Sequence, residues 1–328
     1  MPIIKYRKIF LTVAAVIMLG SIAIIAALGL KPGIDFTGGS LLEVEYDVLP
    51  DKTLVEEQVR QLVSEGSSVR ESISDNGREA YIIRTRDLTE PEREQLENNL
   101  LSLGEGGKVT RFTSIGPVIG QELKDKAWWA IFGVVSIIVI YVAFAFSGIG
   151  TPVSSWVYGL ITIFVLIHDV LVPTAVMSLL GYLAGVEVDV LFVTALLAVL
   201  GYSVNDTIVV FDRVRENLMK NRHEHRHKRN EPGGIVREEV TYTLTKPYED
   251  IVGQSVSETL ARSINTSLTT MLVLVALYLF GGAVTQTFAL ILLVGVLAGT
   301  YSSICIASPL VVTYAEYKAK REASDKRK

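Results

Sequence analysis

The chain holds a single cysteine, Cys305, so no disulfide can form within it, and any part on an oxidising side of a membrane must stand on its own core. Histidine is nearly as scarce: His168, His223, His225 and His227 are the full set. Residues 31–126 contain neither His nor Cys, and no glycine-rich phosphate loop precedes a helix there. Composition therefore argues against an enzyme active site in that segment. No nucleotide-binding motif occurs elsewhere either, which leaves an ion gradient or a partner as the source of any energy used. No cofactor is implied. The long apolar runs are almost free of charge, and their few ionisable residues are the informative ones.

What the chain has in abundance is apolar sequence. Hydrophobic residues make up 49% of it, and the mean hydropathy is +0.39. At about 1.5 Å per residue, roughly 20 apolar residues cross a bilayer's hydrocarbon. Six runs qualify, at residues 9–30, 127–147, 153–180, 190–211, 263–280 and 284–313. The pattern predicts a polytopic α-helical membrane protein with six transmembrane helices. Lys5, Arg7 and Lys8 precede the first run, as in a signal peptide. Its apolar core exceeds the usual 7 to 15 residues or so and no small-x-small cleavage site follows, which favours a retained helix.

Lys and Arg placement sets the orientation. The basic flank at 1–8 stays in the cytoplasm, which puts 31–126 outside, 212–262 inside and the 314–328 tail inside. The inside segments then carry 19 of the 31 Lys and Arg, and the short outer loops at 181–189 and 281–283 carry none. The long outer segment has 12 basic and 19 acidic residues, a net −7. Long domains cross largely regardless of charge, so the assignment holds. The net charge of −4 thus averages an acidic exterior with a basic cytoplasmic face that suits anionic lipid headgroups and gives no sign of nucleic acid.

Within 31–126 the pattern alternates between strand and helix. Strands are expected at 40–47, 67–74, 79–86 and 108–115, and helices at 53–65 and from Thr89-Glu90-Pro91 to Leu103. Asp75-Asn76-Gly77 suits a tight hairpin turn between the middle strands. The order βαββαβ predicts an extracytoplasmic α+β ferredoxin-like domain between helices 1 and 2. Just before it, Gly33-Ile34-Asp35-Phe36-Thr37-Gly38-Gly39-Ser40 joins the first membrane run to the first strand. Gly38 and Gly39 permit positive φ and close backbone approach at that handover. A tight turn is the favoured reading there, with Asp35 capping or pairing locally.

The fourth run contains Asn205-Asp206 and leaves through Phe211-Asp212-Arg213-Val214-Arg215-Glu216-Asn217. A charged side chain at a bilayer's centre costs about 2.5 to 3.5 kcal/mol on insertion scales, so an intramembrane Asp is a candidate ion or proton site. If the span ends near Phe211, Asp206 lies roughly 8 Å inside the cytoplasmic end. Arg262 opens the fifth run from the same face, so the two are expected at a common depth. An Arg within about 4 to 6 Å favours an ionised carboxylate, and burial without it favours the neutral acid. Helix movement between those arrangements is the minimum equipment for proton coupling. The competing structural reading is a static ion pair, or Asp206 bonded to Ser203 or Thr207. In the third run His168-Asp169 precedes Pro173 and reads either as a proton relay or as interhelical glue. We rank that pair below Asp206 and Arg262, with Asp169→Asn expected to reduce transport less than Asp206→Asn. His223 and His227 in the basic loop have metal-ligand spacing on a helix. With no Cys beside them, the positive-inside reading is preferred over a metal site.

The Asp-Phe-Thr-Gly-Gly element after the first span, the small outer domain, the five further spans and the block Gly201-Tyr202-Ser203-Val204-Asn205-Asp206-Thr207-Ile208-Val209-Val210-Phe211-Asp212-Arg213-Val214-Arg215-Glu216-Asn217 together resemble the SecF branch of the SecD/SecF protein-export family, relatives of the RND transporters. The resemblance covers essentially the whole chain. It implies an RND-type half in the bacterial cytoplasmic membrane with both termini cytoplasmic. A SecD partner would supply the other half, beside the SecYEG channel and possibly YajC and YidC, with a translocating preprotein as cargo. It further implies that the fourth-span Asp206 and fifth-span Arg262 serve proton transport and that no catalytic reaction is involved. Residues 230–250 read as an insertion relative to the shorter connection of that family. Outside that resemblance, a lipid or small-molecule exporter half and a non-transporting membrane scaffold stay open.

Overall fold

The computed structural model of the chain describes residues 2–63, 66–74, 77–145, 152–230 and 236–325. A short α1 (Pro2–Lys5) leads into α2 (Arg7–Leu28), the first of six helices among the described residues that are long and apolar enough to cross a membrane. A strap containing the single turn α3 (Ile34–Thr37) hands over to β1 (Gly39–Glu45). There follow α4 (Lys52–Leu62), β2 (Ser68–Ile73), β3 (Glu79–Thr85), α5 (Glu90–Leu101) and β4 (Lys108–Ile115).

Local chemistry accounts for these boundaries. Asp51 caps α4 by accepting from Thr53 N at 2.8 Å. Thr89 and Glu92 form a reciprocal capping box at the start of α5, with a proline in the first turn. The four strands make one antiparallel sheet in the order β2-β3-β1-β4. Leu42 and Val44 alternate inward from β1 and bury against Val55 and Val59 of α4 and Leu96 and Leu100 of α5. Tyr46 closes this core, its hydroxyl donating to Leu100 O at 2.9 Å. Asp75 and Asn76 of the expected hairpin turn lie outside the described residues. The hairpin itself is formed, with Ser74 N bonded to Arg78 O at 2.8 Å. The sheet's other face overlooks a cleft of about 640 Å³ walled by Leu41, Glu43, Arg70, Arg84, Arg111 and Glu187.

The remaining spans are α6 (Pro117–Ala145), α7 (Ser155–Ala184), α8 (Val190–Lys220), α9 (Tyr248–Phe280) and α10 (Ala283–Ser302). The last runs through a π-helical turn, Ser303–Ala307, into α11 (Ser308–Asp325). In α7, α8 and the final helix about half of the most apolar window is buried, 50%, 50% and 56%, against 11 to 17% for α2, α6 and α9. The former three are therefore the bundle's centre and the latter its rim. Glycines allow the close approach at that centre: a Cβ on Gly295 would stand 2.1 Å from Val199, and one on Gly299 3.1 Å from Ser203.

Residues 212–262 depart most from the expected loop. α8 continues to Lys220, and the backbone then forms a hairpin of β5 (Arg222–Asn230) and β6 (Val236–Leu244). α9 begins at Tyr248 and runs 33 residues without a break, so Arg262 lies inside that helix. His223 and His227 sit on a strand, where positions four apart are separated by roughly 13 Å. The helical spacing that a metal pair would need is therefore absent from this backbone. Among the described residues no cluster of three or more metal-ligating side chains occurs.

Candidate functional site

Asp206 lies on the face of α8 that packs against α9. The side chains of α9 buried towards it recur every fourth residue as Ser255, Thr259, Ser263 and Ser267. Asp206 is 4% exposed, and the Ser263 hydroxyl stands beside its carboxylate. Neither Asp206 Oδ2 nor Ser263 Oγ reaches a hydrogen-bond partner among the described residues, and Thr207 Oγ1 likewise has none. The site is thus an enclosed carboxyl group lined by hydroxyls, with one oxygen uncommitted.

Arg262 does not complete this site. Consecutive helical residues are about 100° apart, so with Ser263 facing α8, Arg262 is turned away, and its side chain is exposed. Arg262 adjoins Ser263 in sequence, but no ion pair between Arg262 and Asp206 is formed among the described residues. Asn205, one residue before Asp206, is exposed for the same reason.

The more elaborately bonded acid is Asp169. It is completely buried on α7, and its Oδ1 lies 2.9 Å from His168 Nδ1. Its Oδ2 accepts from Ser302 Oγ at 2.7 Å and from Ser203 Oγ. One carboxylate thereby joins α7, α8 and the end of α10, at the point where α10 widens into the π turn. π turns of this kind recur at functional sites. Pro173 removes the amide that would otherwise bond the Asp169 carbonyl, and α7 nevertheless continues to Ala184. His168 Nε2 is buried without a partner among the described residues, and the ring lies 6.3 Å from that of Tyr301. A second chain of hydroxyls runs alongside: Tyr202 donates to Ser267 at 3.2 Å, as does Thr300 at 2.6 Å.

The motif that ends α8 works as a latch. Arg213 Nε pairs with Glu258 Oε2 of α9 at 2.5 Å, and Asn217 Nδ2 donates to Glu258 Oε2 and Ser255 Oγ, both at 2.9 Å. Arg215 Nη1 donates to Ala145 O at 3.1 Å, closing on the end of α6, and Arg215 Nε stands 3.5 Å from Asp212. These residues hold helices together more directly than they face the buried acids.

At the other end of α8, Asp35 finds a partner 155 residues away: its Oδ2 accepts from Val190 N at 2.8 Å. Asp189 caps the same helix by accepting from Phe192 N at 2.8 Å. Burial pushes the Asp189 carboxyl up, the Phe192 amide opposes this, and the neighbouring Asp35 charge adds to it. Gly38 and Gly39 both take positive φ, +73° and +128°. A Cβ on Gly38 would stand 2.8 Å from Pro117 Cα, and one on Gly39 2.4 Å from Thr85 O, which accounts for both glycines.

Ser263, Ser302 and Glu258 were not expected as site residues, and Ser203, expected as a partner of Asp206, donates to Asp169 instead. The fourfold Ser/Thr recurrence from Ser255 to Ser267 is the one signal in the sequence that marks the face of α9 turned to Asp206. Nothing local distinguishes Ser302.

An inserted sheet domain after the first of six apolar helices, and buried ionisable groups at the centre of the bundle, define a multi-pass membrane protein of the transport-subunit class. Comparison with known proteins makes this specific. The family described as "Protein export membrane protein SecD/SecF, C-terminal" matches residues 95–231 and 235–317, and the SecD/SecF GG motif matches 23–48. The chain belongs to the SecD/SecF family of protein-export membrane proteins. A protein translocase subunit SecF of Sebaldella termitidis is 32% identical over 97% of this chain and 93% of its own length. One of Thermobaculum terrenum is 35% identical, over 95% and 93%. The crystal structure of SecDF from Thermus thermophilus superposes with a TM-score of 0.78 at 29% identity, covering 95% of this chain. The chain spans only 38% of that SecDF chain.

Proposed function

We propose that this chain is the SecF-type half of an accessory protein translocase that, with a SecD-type half, uses the proton motive force to complete preprotein export after the ATP-driven steps. The observation that carries the reading is Asp206: an enclosed intramembrane carboxyl with one uncommitted oxygen, beside the Ser263 hydroxyl of α9. Groups of this kind inside a bilayer are retained for ion or proton passage. Asp206 is the proton-carrying group. Arg262, exposed in the single chain, is the residue presented to the second half, so the charge opposite it comes from SecD. The share of the SecDF chain spanned here supports that division of an RND-type pathway into two halves. His168 and Asp169 form a subsidiary relay through Ser203 and Ser302.

Residues 31–126 form the extracytoplasmic domain, and the chain order with the sheet order β2-β3-β1-β4 supports reading it as ferredoxin-like. Both termini are cytoplasmic on the distribution of Lys and Arg. The domain acts on the emerging chain beside SecYEG, with YajC and YidC as neighbours. The reaction is transport, and no covalent catalysis is assigned.

The test is preprotein export into proton-loaded inverted vesicles containing this chain and its SecD partner, comparing wild type with Asp206→Asn at equal complex levels. Loss of export together with its proton dependence is expected. Full export with normal assembly overturns the proposal in favour of a non-transporting scaffold.

A further inference from the structure

The strap between α2 and β1 carries more connections than a turn needs. Pro32 pairs with Val188 as a parallel bridge, Gly33 N bonds Val188 O at 2.7 Å, and Val188 N bonds Lys31 O at 2.7 Å. A Cβ at Gly33 would stand 2.9 Å from Val188 O, so the two backbones are in direct contact. The outer domain joins at the same place. Arg84 of β3 donates to Pro32 O at 3.0 Å, to Glu187 Oε1 at 2.9 Å and to Thr37 Oγ1 at 2.5 Å. Asp35 then reaches over the α7–α8 turn and accepts from Val190 N, the first amide of α8.

An α-helix leaves its first amides without internal partners. In α8 these are shared between Asp189, the local cap, and Asp35, which belongs to a different body of the protein. From Val190 the helix runs unbroken to Lys220. Sixteen residues along it, about 24 Å at 1.5 Å each, is Asp206. A helix of that length moves as a rod, so whatever holds its outer turn fixes the depth of the carboxyl near its other end.

We infer that Asp35 is a positioning residue for the proton step: with Arg84 and Glu187 it ties the outer domain to the outer turn of α8, so that displacement of the domain and displacement of Asp206 are one movement. This rests on the reading of Asp206 as the proton-carrying group. Asp35 touches neither proton nor cargo and works only through α8. A cap that merely stabilised the helix would contribute to folding and leave coupling untouched.

The variants separate these roles. Asp35→Ala removes the acceptor, whereas Asp35→Asn keeps a carbonyl oxygen for Val190 N. In the complex with SecD in proton-loaded inverted vesicles, at equal complex levels, Asp35→Ala is expected to lose gradient-stimulated export several-fold. Its ATP-driven export without a gradient should be unchanged, and Asp35→Asn should retain most of the stimulation. Hydrogen exchange at residues 190–193 should quicken in Asp35→Ala alone. Wild-type stimulation in Asp35→Ala overturns the inference. Should Asp35→Ala fail to assemble, Arg84→Ala breaks the domain's own tie without removing a bond from α8. Lost stimulation there supports the tie, and wild-type stimulation overturns it. Asp206→Asn, measured alongside, keeps the two ideas apart. Lost stimulation in Asp206→Asn with intact stimulation in Asp35→Ala removes the tie alone. Intact stimulation in Asp206→Asn removes the proton reading, and the inference with it.

Discussion

Ser263 of α9, and not its neighbour Arg262, faces Asp206 of α8. A charge at that position would have made a closed ion pair. A hydroxyl instead leaves the carboxyl short of partners and leaves the cation on the outside of the bundle, where a second half can meet it.

The two positions should respond differently to substitution in the single chain. Arg262 is exposed, so Arg262→Ala should change stability by less than about 0.5 kcal/mol. Ser263→Leu forces a large side chain against a buried carboxyl and should cost roughly 1 to 3 kcal/mol. Thermal unfolding of the purified chain in detergent checks both. Equal effects would mean that Arg262 faces inward.

Stability and transport should rank the two acids in opposite orders. Asp169→Ala leaves Ser203 and His168 without this partner, at about 1 to 3 kcal/mol for each unsatisfied buried group, whereas Ser302 keeps Gly299 O. Asp206→Ala removes an acid with one oxygen already uncommitted and should be the milder of the two in a melting experiment. Transport should fall further with Asp206→Asn than with Asp169→Asn. A milder melting effect at Asp169 would show that its network is not load-sharing.

Gly39→Ala should reduce the folded fraction sharply, because the new methyl meets Thr85 O at 2.4 Å in a backbone conformation of φ +128°. Strain of this kind costs on the order of 1 to 3 kcal/mol before the clash is counted. Gly20→Ala is the control, since no atom lies within 4 Å of the added group. Protein accumulation in membranes and melting temperature measure both; a Gly39→Ala chain as stable as Gly20→Ala would show that the strap yields.

Acid should unfasten α5 in the sheet domain. The Glu92 carboxyl is held down at about 2 by Arg86 and by the Thr89 amide and hydroxyl. A carboxyl whose folded pKa is lowered stabilises above its unfolded value, near 4.5, and loses that contribution as the pH falls towards 2. Hydrogen exchange across residues 90–101 should therefore be faster in Glu92→Gln than in wild type at pH 6, with the two converging near pH 2. A difference independent of pH would mean that the carboxyl's charge plays no part.

Much of this was legible in the sequence, because the two strongest signals were undisturbed. Long apolar runs located all six helices, and alternation with good caps at Asp51 and Thr89 located the sheet domain to within a few residues. Rotation about a helix axis was harder. Arg262 and Ser263 are adjacent, and only the fourfold recurrence of Ser and Thr shows which one faces α8. The bonding of Asp169 was not legible, because its two serine partners, Ser203 and Ser302, come from two other helices and nothing local marks them. The hairpin of 222–244 was hidden by its charged composition, in which a positive-inside loop and a pair of polar strands look alike.

The π turn at Ser303–Ala307 has a bearing on everything that follows it. Six of the seven residues from Ser302 to Ser308 are buried, a wider arc than a regular helix stripe covers. The turn holds one residue more than an α-helix would, so it sets the screw phase of α11. Winding the same residues at regular α-helical pitch, with none deleted, would rotate α11 by about 100°. Val311 and Val312 would leave the core, and a polar flank would swing inward in their place. The surplus residue thus keys the chain's last helix to the network around Asp169, like the offset tooth of a gear.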